Sequence, residues 1–328
     1  MSGIVIIGTG SAVPERILTN EDLEKLVDTS NDWIITRTGI RTRYIAGKEE
    51  NTSDLGAAAS RHALDMAGLD PDEVDIIILG TITPDVGMPS TACLVQKKLG
   101  ARAAFAFDIN AACSGFLYAL DMAEKYILAD PSLKILVIGA ETLSNRTQWE
   151  DRTTCVLFGD GAGAVVVTGS HNEKGGMTST LFSDGRLHHL LYMSPSRGMN
   201  PGLSAEVEEG SCIRMEGHEV FRYAVRALQD AVYAVLDASG VRLEEVDLII
   251  PHQANIRILQ NLAERLSLDK EKLYINVDKY GNTSAASIPI ALDQANRDDL
   301  IHENDLILLC AFGGGFTWGA SLFRWYLN

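Results

Sequence analysis

The chain has 328 residues, of which 46% are hydrophobic, and it carries a formal net charge of −16 at pH 7. This acidic balance argues against broad nucleic-acid binding, and no apolar run approaches the roughly 18 residues that a membrane-spanning helix needs. The first residues lack the basic and apolar regions of a signal peptide. The five cysteines are widely spaced and form no CxxC pair, so we expect a cytoplasmic protein with free thiols and no metal site.

Strands and helices alternate along the chain, which indicates an α/β protein. Residues 170–215 are irregular in composition, and we interpret them as a connecting stretch.

Trp33 and Arg37 share a short amphipathic turn. Such a pair is typical of packing, and it is also typical of contacts to a purine and a phosphate. Apolar periodicity predicts helices at 54–67, 114–129, 219–239 and 255–266, and strands at 3–9, 74–82, 105–108, 134–140, 164–168, 246–250, 273–277, 306–310 and 320–325.

The two halves of the sequence resemble each other. Residues 64–78 align without a gap with residues 236–250, at a constant offset of 172. The strand before Cys113 corresponds roughly to the stretch before Asn282, and residues 135–140 correspond to 306–311. We therefore predict an N-terminal half at 1–172 and a duplicated C-terminal half at 173–328.

Three polar side chains follow predicted strands and are candidates for chemistry. Cys113 begins a buried helix; a cysteine there is more often a small core residue, yet a helix N-terminus also favours the nucleophilic thiolate. His252 directly follows a buried strand, a position that suits a helix cap or a site at strand ends. Asn282 suits a turn and an N-cap, but the duplication places it opposite Cys113 across a central cleft. The glycines at 313–315 follow a strand and suit an oxyanion site.

The motifs around these residues are specific. In combination they closely resemble β-ketoacyl-acyl carrier protein synthase III, the initiating condensing enzyme of bacterial type II fatty-acid synthesis, within the thiolase superfamily. The resemblance covers nearly the whole chain and implies a thiolase-like α/β fold, with the cysteine in the first of two duplicated halves and the histidine and asparagine in the second, layered α-β-α-β-α. Its main motifs are Ala112-Cys113-Ser114-Gly115, Pro251-His252-Gln253-Ala254-Asn255-Ile256-Arg257 and Gly281-Asn282-Thr283-Ser284-Ala285-Ala286-Ser287.

The resemblance also implies a mechanism. Cys113 would accept an acyl group from acyl-coenzyme A, and the backbone N–H groups of Cys113 and Gly314 would bind the oxyanion. His252 and Asn282 would bind the malonyl-carrier thioester and stabilise the enolate formed as carbon dioxide leaves. This activity is an acyltransferase reaction that starts fatty-acid synthesis. It uses the coenzyme A thioester as a substrate and needs no tightly bound cofactor.

The binding contacts that the resemblance implies are spread over both halves. Trp33 and Arg152 would enclose the adenine of coenzyme A, and Arg257 would dock the acyl carrier protein. The implied enzyme is a homodimer in which Met88 reaches the acyl pocket of the partner subunit. The other implied coenzyme A contacts are Thr29, Arg37 and Asn255, and the other residues of the acyl pocket are Leu143 and Phe158.

Two features depart from the family pattern, and several alternatives stay open. Met88 replaces a familiar Phe, which leaves the acyl primer open between acetyl, branched and longer groups, and His218 stands where Asn is familiar. A thiolase is the nearest alternative, because Cys310 precedes three glycines, and a specialised ketosynthase is another. The order Cys113, His252, Asn282 also matches a papain-like cysteine hydrolase, although that family's cysteine signature is absent.

Overall fold

The computed structural model describes residues 3–170, 175–193 and 212–326. Short 3₁₀ turns at Ala112–Ser114 and Ser284–Ala286 each lead into a helix. In chain order the strands are β1 (Ile4–Ala12), β2 (Arg16–Thr19), β3 (Thr42–Ile45), β4 (Ile76–Gly80), β5 (Phe105–Ile109), β6 (Ile135–Glu141), β7 (Gly161–Gly169), β8 (Met177–Ser183), β9 (Leu191–Met193), β10 (Ile213–Met215), β11 (Leu248–Pro251), β12 (Leu306–Gly313) and β13 (Thr317–Arg324). The helices are α1 (Asn20–Leu23), α2 (Asn31–Thr38), α3 (Thr52–Ala67), α4 (Thr91–Leu99), α5 (Gly115–Ala129), α6 (Gly217–Ser239), α7 (Ile256–Leu266), α8 (Val277–Tyr280) and α9 (Ser287–Arg297).

Two sheets organise these elements. One has the strand order β1-β7-β6-β4-β5 and the other has the order β11-β12-β13-β8. β4 pairs in parallel with β5 and β6, and β11 pairs in parallel with β12. β4 and β6 are buried along their whole length, because both faces of the sheet are covered, and this explains their unbroken apolar sequences.

The helices form three layers around the two sheets. α5 and α9 lie between the sheets, and their side chains share one hydrophobic cluster with the inner faces of both. α3 and α4 cover the outer face of the first sheet, while α6 and α7 cover the second. The α-β-α-β-α arrangement expected from the family resemblance is confirmed. Among the described residues, no helix combines the length and apolar character that crossing a bilayer requires.

The sequence offset of 172 continues through the structure. The 3₁₀ turns that begin at Ala112 and Ser284 differ by this offset, as do the helices that begin at Gly115 and Ser287. Ala112 and Ser284 also share a left-handed backbone, with φ of 46° and 48°. The structural equivalent of Cys113 is therefore Ala285, so the rough correspondence with Asn282 does not hold residue by residue. The predicted boundary between residues 172 and 173 lies outside the described residues, and the division there stays a prediction.

Three predicted elements differ in the structure. β1 continues through the glycines to Ala12, with an irregularity in its pairing between Ile6 and Gly8. The stretch 170–215 is not merely a connection: it contains β8, an edge strand of the second sheet whose partial exposure explains its polar sequence. Residues 273–277 are not a strand, because Leu273 alone bridges to Ile249 and the backbone N–H of Asn276 donates to the Gln253 side chain.

Candidate active site

A cavity of about 780 Å³ opens beyond the carboxyl ends of the parallel strands. Its walls include residues that follow β4, β5, β6, β11 and β12, the edge where α/β proteins build their sites. Ten of the predicted site residues line it: Trp33, Arg37, Cys113, Leu143, Phe158, His252, Asn255, Arg257, Asn282 and Gly314. Both halves of the sequence therefore contribute to one site.

Cys113 lies in the 3₁₀ turn that precedes α5, where its side chain reaches the cavity. The end of β12 packs directly on it, since a Cβ on Gly313 would lie 2.6 Å from the Cys113 backbone nitrogen. Burial raises the pKa of the thiol to about 12. The resting residue is therefore a thiol, and its proton must be removed when it attacks.

His252 is held as a neutral hydrogen-bond donor. The Ser287 hydroxyl accepts the backbone N–H of Gln253 at 3.3 Å and lies 2.6 Å from His252 Nδ1, to which the hydroxyl proton can donate. With Ser287 as the donor, the ring proton of His252 lies on Nε2. Burial lowers the pKa of His252 to about 3, so the imidazole stays uncharged at neutral pH.

Asn282 is held as a second donor. Its backbone N–H donates to Leu157 O at 2.9 Å, and its carbonyl accepts from Gly159 N at 3.0 Å. The side-chain oxygen accepts the backbone N–H of Ser284 at 2.9 Å, which leaves the amide NH₂ to donate into the cavity. A thiol and two neutral donors thus share one cavity, an arrangement suited to a thioester whose carbonyl oxygen gains negative charge.

The predicted coenzyme A residues cluster around Trp33 on α2. The guanidinium of Arg37 lies 5.8 Å from the centre of the indole ring, and that of Arg152 lies 5.3 Å from it. Arg152 and Thr29 do not line the cavity; Arg152 donates to Asp28 O at 2.7 Å. The Thr29 hydroxyl oxygen is buried with no hydrogen-bond partner in the described part of the chain, which suits a group that meets a ligand.

The predicted acyl-pocket residues separate into two places. Leu143 and Phe158 line the cavity, whereas Met88 is 88% exposed on the segment before α4 and does not line the cavity of its own chain. Cys310, the cysteine that suggested a thiolase, is fully buried in the apolar cluster beneath α6. All five cysteines are free, as expected.

Three residues near the site were missed at the level of sequence: Ser287, Ser284 and Glu141. The two serines lie within the asparagine motif, but their contacts with His252 and with the cavity join positions far apart in the chain. Glu141 had a visible signal, because it is an acidic residue that directly ends an apolar strand.

Comparison with known proteins gives a consistent result. Residues 107–185 match the family profile described as 3-oxoacyl-[acyl-carrier-protein (ACP)] synthase III. Residues 236–325 match the profile described as the C-terminal part of the same synthase. The chain is 53% identical over 322 residues to β-ketoacyl-[acyl-carrier-protein] synthase III of Desulfotalea psychrophila, covering 98% of this chain and 99% of that protein. It is 51% identical to the protein of the same name from Aquifex aeolicus, covering 98% and 100%.

Solved structures agree with the sequence comparison. The crystal structure of 3-oxoacyl-[acyl-carrier-protein] synthase III from Aquifex aeolicus superposes with a TM-score of 0.91 at 52% identity, covering 98% of this chain and 100% of that one. The synthase from Thermus thermophilus gives a TM-score of 0.90 at 41% identity, covering 98% and 99%.

Proposed function

Because this chain belongs to the β-ketoacyl-acyl carrier protein synthase III family, we propose that its cavity carries out both half-reactions of an initiating condensation. The enzyme is an acyltransferase that condenses an acyl-coenzyme A primer with malonyl-acyl carrier protein. The observation that carries the assignment of residues is the shared cavity of Cys113, His252 and Asn282. A thiolase or a cysteine hydrolase would not account for full-length identity to this family.

In the first half-reaction, Cys113 attacks the thioester of the acyl-coenzyme A. A thiol exchanges readily with a thioester, because the bond formed and the bond broken are alike. The tetrahedral intermediate carries an oxyanion, which the backbone N–H groups of Cys113 and Gly314 would stabilise. Coenzyme A leaves and the acyl group stays on Cys113.

In the second half-reaction, malonyl-acyl carrier protein enters the same cavity. His252 Nε2–H and the Asn282 amide would both donate to its thioester carbonyl, and these bonds strengthen as carbon dioxide leaves and the oxygen becomes an enolate. The resulting carbanion attacks the acyl-Cys113 thioester and releases the 3-oxoacyl product. Only a thiol and hydrogen-bond donors are needed, so this mechanism assigns no bound cofactor.

The proposed coenzyme A contacts follow from the residues around Trp33. Trp33 with Arg152 offers an aromatic face and a planar cation for the adenine, and Arg37 offers charge for phosphate. Thr29 contributes a hydroxyl that has no hydrogen-bond partner in the described part of the chain, and Asn255 lines the cavity and caps α7 by accepting the Arg257 N–H at 2.9 Å. The exposed Arg257 would meet the acidic carrier protein.

The test of this function is condensation of acetyl-coenzyme A with malonyl-acyl carrier protein by the purified chain. We expect formation of the 3-oxoacyl-carrier product, and its absence with every acyl-coenzyme A in a panel of acetyl, branched and longer primers would overturn the proposal. The relative rates across the panel identify the primer, which the residue names leave open.

The enzyme is also proposed to be a homodimer. β5 is an edge strand that pairs only with β4 among the described strands, and it exposes Phe105, which stacks on Phe107 at 6.3 Å between ring centres. An exposed aromatic edge strand is a template for pairing with a second copy. The same interface would carry the exposed Met88 toward the partner's acyl pocket. A cytoplasmic location remains a prediction.

Phe105→Glu is expected to weaken this dimer. Phe105 is 52% exposed in the single chain, and a carboxylate there would be desolvated at the interface. A loss of about 2 kcal/mol corresponds to a roughly 30-fold weaker dissociation constant, measured by light scattering over a dilution series. Leu300→Glu is the matched control, because Leu300 is 50% exposed elsewhere on the chain. A monomeric wild type, or an unchanged Phe105→Glu dimer, would refute the β5 interface.

A further inference from the structure

Glu141 ends β6 beside the active site, and the mechanism above does not use it. The residue is fully buried. Its carboxylate accepts the hydroxyls of Thr81 at 3.1 Å and Thr83 at 2.6 Å, together with the backbone N–H of Ile82 at 3.1 Å. Each of these donors is neutral. A buried carboxylate that is held without a cation is costly, which makes it a candidate for a functional group.

The side chain of Glu141 points toward the turn that carries Ser284. Residues two apart on a strand share a face, and Gly139 lies two positions before Glu141. A Cβ on Gly139 would lie 2.2 Å from Ala285 O, so this face of β6 packs against the 3₁₀ turn Ser284–Ala286. Glu141 therefore extends from the strand end toward the part of the site that holds Cys113.

Ser284 lines the same cavity as Cys113, and it begins the 3₁₀ turn against which the Glu141 face of β6 packs. Its side chain is 1% exposed, and its hydroxyl oxygen is buried with no hydrogen-bond partner in the described part of the chain. Burial raises the pKa of the Cys113 thiol and that of the Glu141 carboxyl, and the Ser284 hydroxyl lowers both pKa values by a smaller amount. A hydroxyl both donates and accepts, so it can pass a proton from one to the other.

We propose that Glu141 takes the Cys113 proton through the Ser284 hydroxyl during acylation and returns it by the same route during condensation. This inference rests on the proposed function of Cys113 as the acyl acceptor. Glu141 acts through Ser284 and does not touch the substrate.

The proton and bond changes balance over the cycle. In acylation, the Cys113 S–H bond breaks and an S–C bond to the acyl carbon forms, while the proton moves to Ser284 and the Ser284 proton moves to Glu141. Coenzyme A leaves as a thiolate and takes a proton from water. In condensation, a C–C bond forms, the Cys113–acyl bond breaks, and the thiolate recovers its proton from Glu141 through Ser284.

Among the ionisable groups nearby, Glu141 is the best matched acceptor at neutral pH. His252 Nδ1 already accepts the Ser287 proton, and its Nε2 is a donor. Burial raises the pKa of Glu141 to about 7, whereas the pKa of Cys113 is about 12. Asp85 accepts a hydrogen bond from the Ser53 hydroxyl. Asp160 accepts hydrogen bonds from the Ser144 hydroxyl and the Ala46 backbone N–H. The ionisable side chains on the segments around Glu141 are Asp85, Cys113, Asp160 and His252.

Two substitutions interrupt this relay and preserve the surrounding structure. In Glu141→Gln, the amide oxygen can take the three donors from Thr81, Ile82 and Thr83, while the NH₂ group faces Ser284 and cannot accept a proton. Ser284→Ala removes the bridging hydroxyl. Its left-handed backbone tolerates alanine, because Ala112 adopts nearly the same φ at the equivalent position.

The experiment measures acylation of Cys113 by acetyl-coenzyme A in a rapid quench, from pH 5.5 to 9. In the wild type, the rate should rise with pH through an inflection near 7, because only ionised Glu141 accepts a proton. Both variants should lose the inflection and acylate about 10²-fold more slowly at pH 7.5, the usual size of a general-base contribution. Glu141→Asp should keep the inflection and recover part of the rate. Glu124→Gln, a buried carboxylate remote from the cavity, is the control.

The outcomes separate the relay from the function on which it rests. Wild-type rates and a retained inflection in Ser284→Ala would overturn the relay, whether or not Glu141→Gln folds. Loss of rate without any change in the pH profile would also overturn it, because that result indicates only a structural role. If the wild type forms no adduct on Cys113 with any acyl-coenzyme A of the primer panel, the proposed function fails first.

Discussion

Cys113→Ala is expected to abolish condensation, with a loss of at least about 10⁴-fold, the order seen when an enzyme loses its nucleophile. Without the thiol, no acyl-enzyme can form, and the oxyanion site has no intermediate to stabilise. Decarboxylation of malonyl-acyl carrier protein should persist, because His252 and Asn282 remain in the cavity. Product formation and carbon dioxide release are measured separately on the same sample.

The matched control for this substitution is Cys93→Ala. Cys93 is another free cysteine, but its sulfur accepts a hydrogen bond from the Ser90 hydroxyl at 3.1 Å and it does not line the cavity. The Cys93→Ala variant should catalyse condensation at the wild-type rate. Substantial condensation by Cys113→Ala would contradict a covalent mechanism at this residue.

His252→Ala is expected to give the opposite pattern, with decarboxylation lost and acylation partly retained. Removing one preorganised donor to a developing oxyanion costs about 10²–10³-fold. Because burial holds the pKa of His252 near 3, the neutral donor persists down to that pH, and His252-dependent decarboxylation should show no inflection between pH 5 and 7. Carbon dioxide release and acyl-enzyme mass are the two measurements.

Ser287→Ala tests whether the tautomer of His252 matters. Loss of the Ser287 proton leaves Nδ1 without its donor, so part of the population should shift the ring proton from Nε2 to Nδ1. We expect a smaller loss of decarboxylation than in His252→Ala, and imidazole ¹⁵N shifts should report the change of tautomer. His302→Ala, on the exposed surface, is the control for Ser287→Ala.

Unchanged decarboxylation in His252→Ala would refute the role given to His252.

The sequence was informative wherever function coincided with a local pattern. Cys113 and His252 each follow an apolar strand, and parallel strands end at one edge of a sheet, so their meeting in one cavity was predictable. The constant offset between the halves predicted that both would contribute. The offset was not used to identify which residue of the second half corresponds to Cys113. The helices that begin at Gly115 and Ser287 show that Asn282 precedes that position.

What the sequence did not predict depends on contacts between distant segments. The hydrogen bond between the side chains of His252 and Ser287 joins residues on different elements. Neither their spacing in the sequence nor their residue types indicate this contact. β8 has the composition of a loop because an edge strand is only partly buried. The acceptor role that we propose for Glu141 depends on burial, which turns an ordinary carboxyl into one that titrates near neutral pH.

The most direct test of the central claim follows the acyl group through one turnover. The wild-type chain is incubated with acetyl-coenzyme A, digested and examined by mass spectrometry, before and after addition of malonyl-acyl carrier protein. We predict one acetyl group on the peptide that contains Cys113, and its disappearance as 3-oxoacyl-carrier product forms. An acetyl group on any other residue, or one on Cys113 that malonyl-acyl carrier protein does not discharge, would contradict the account.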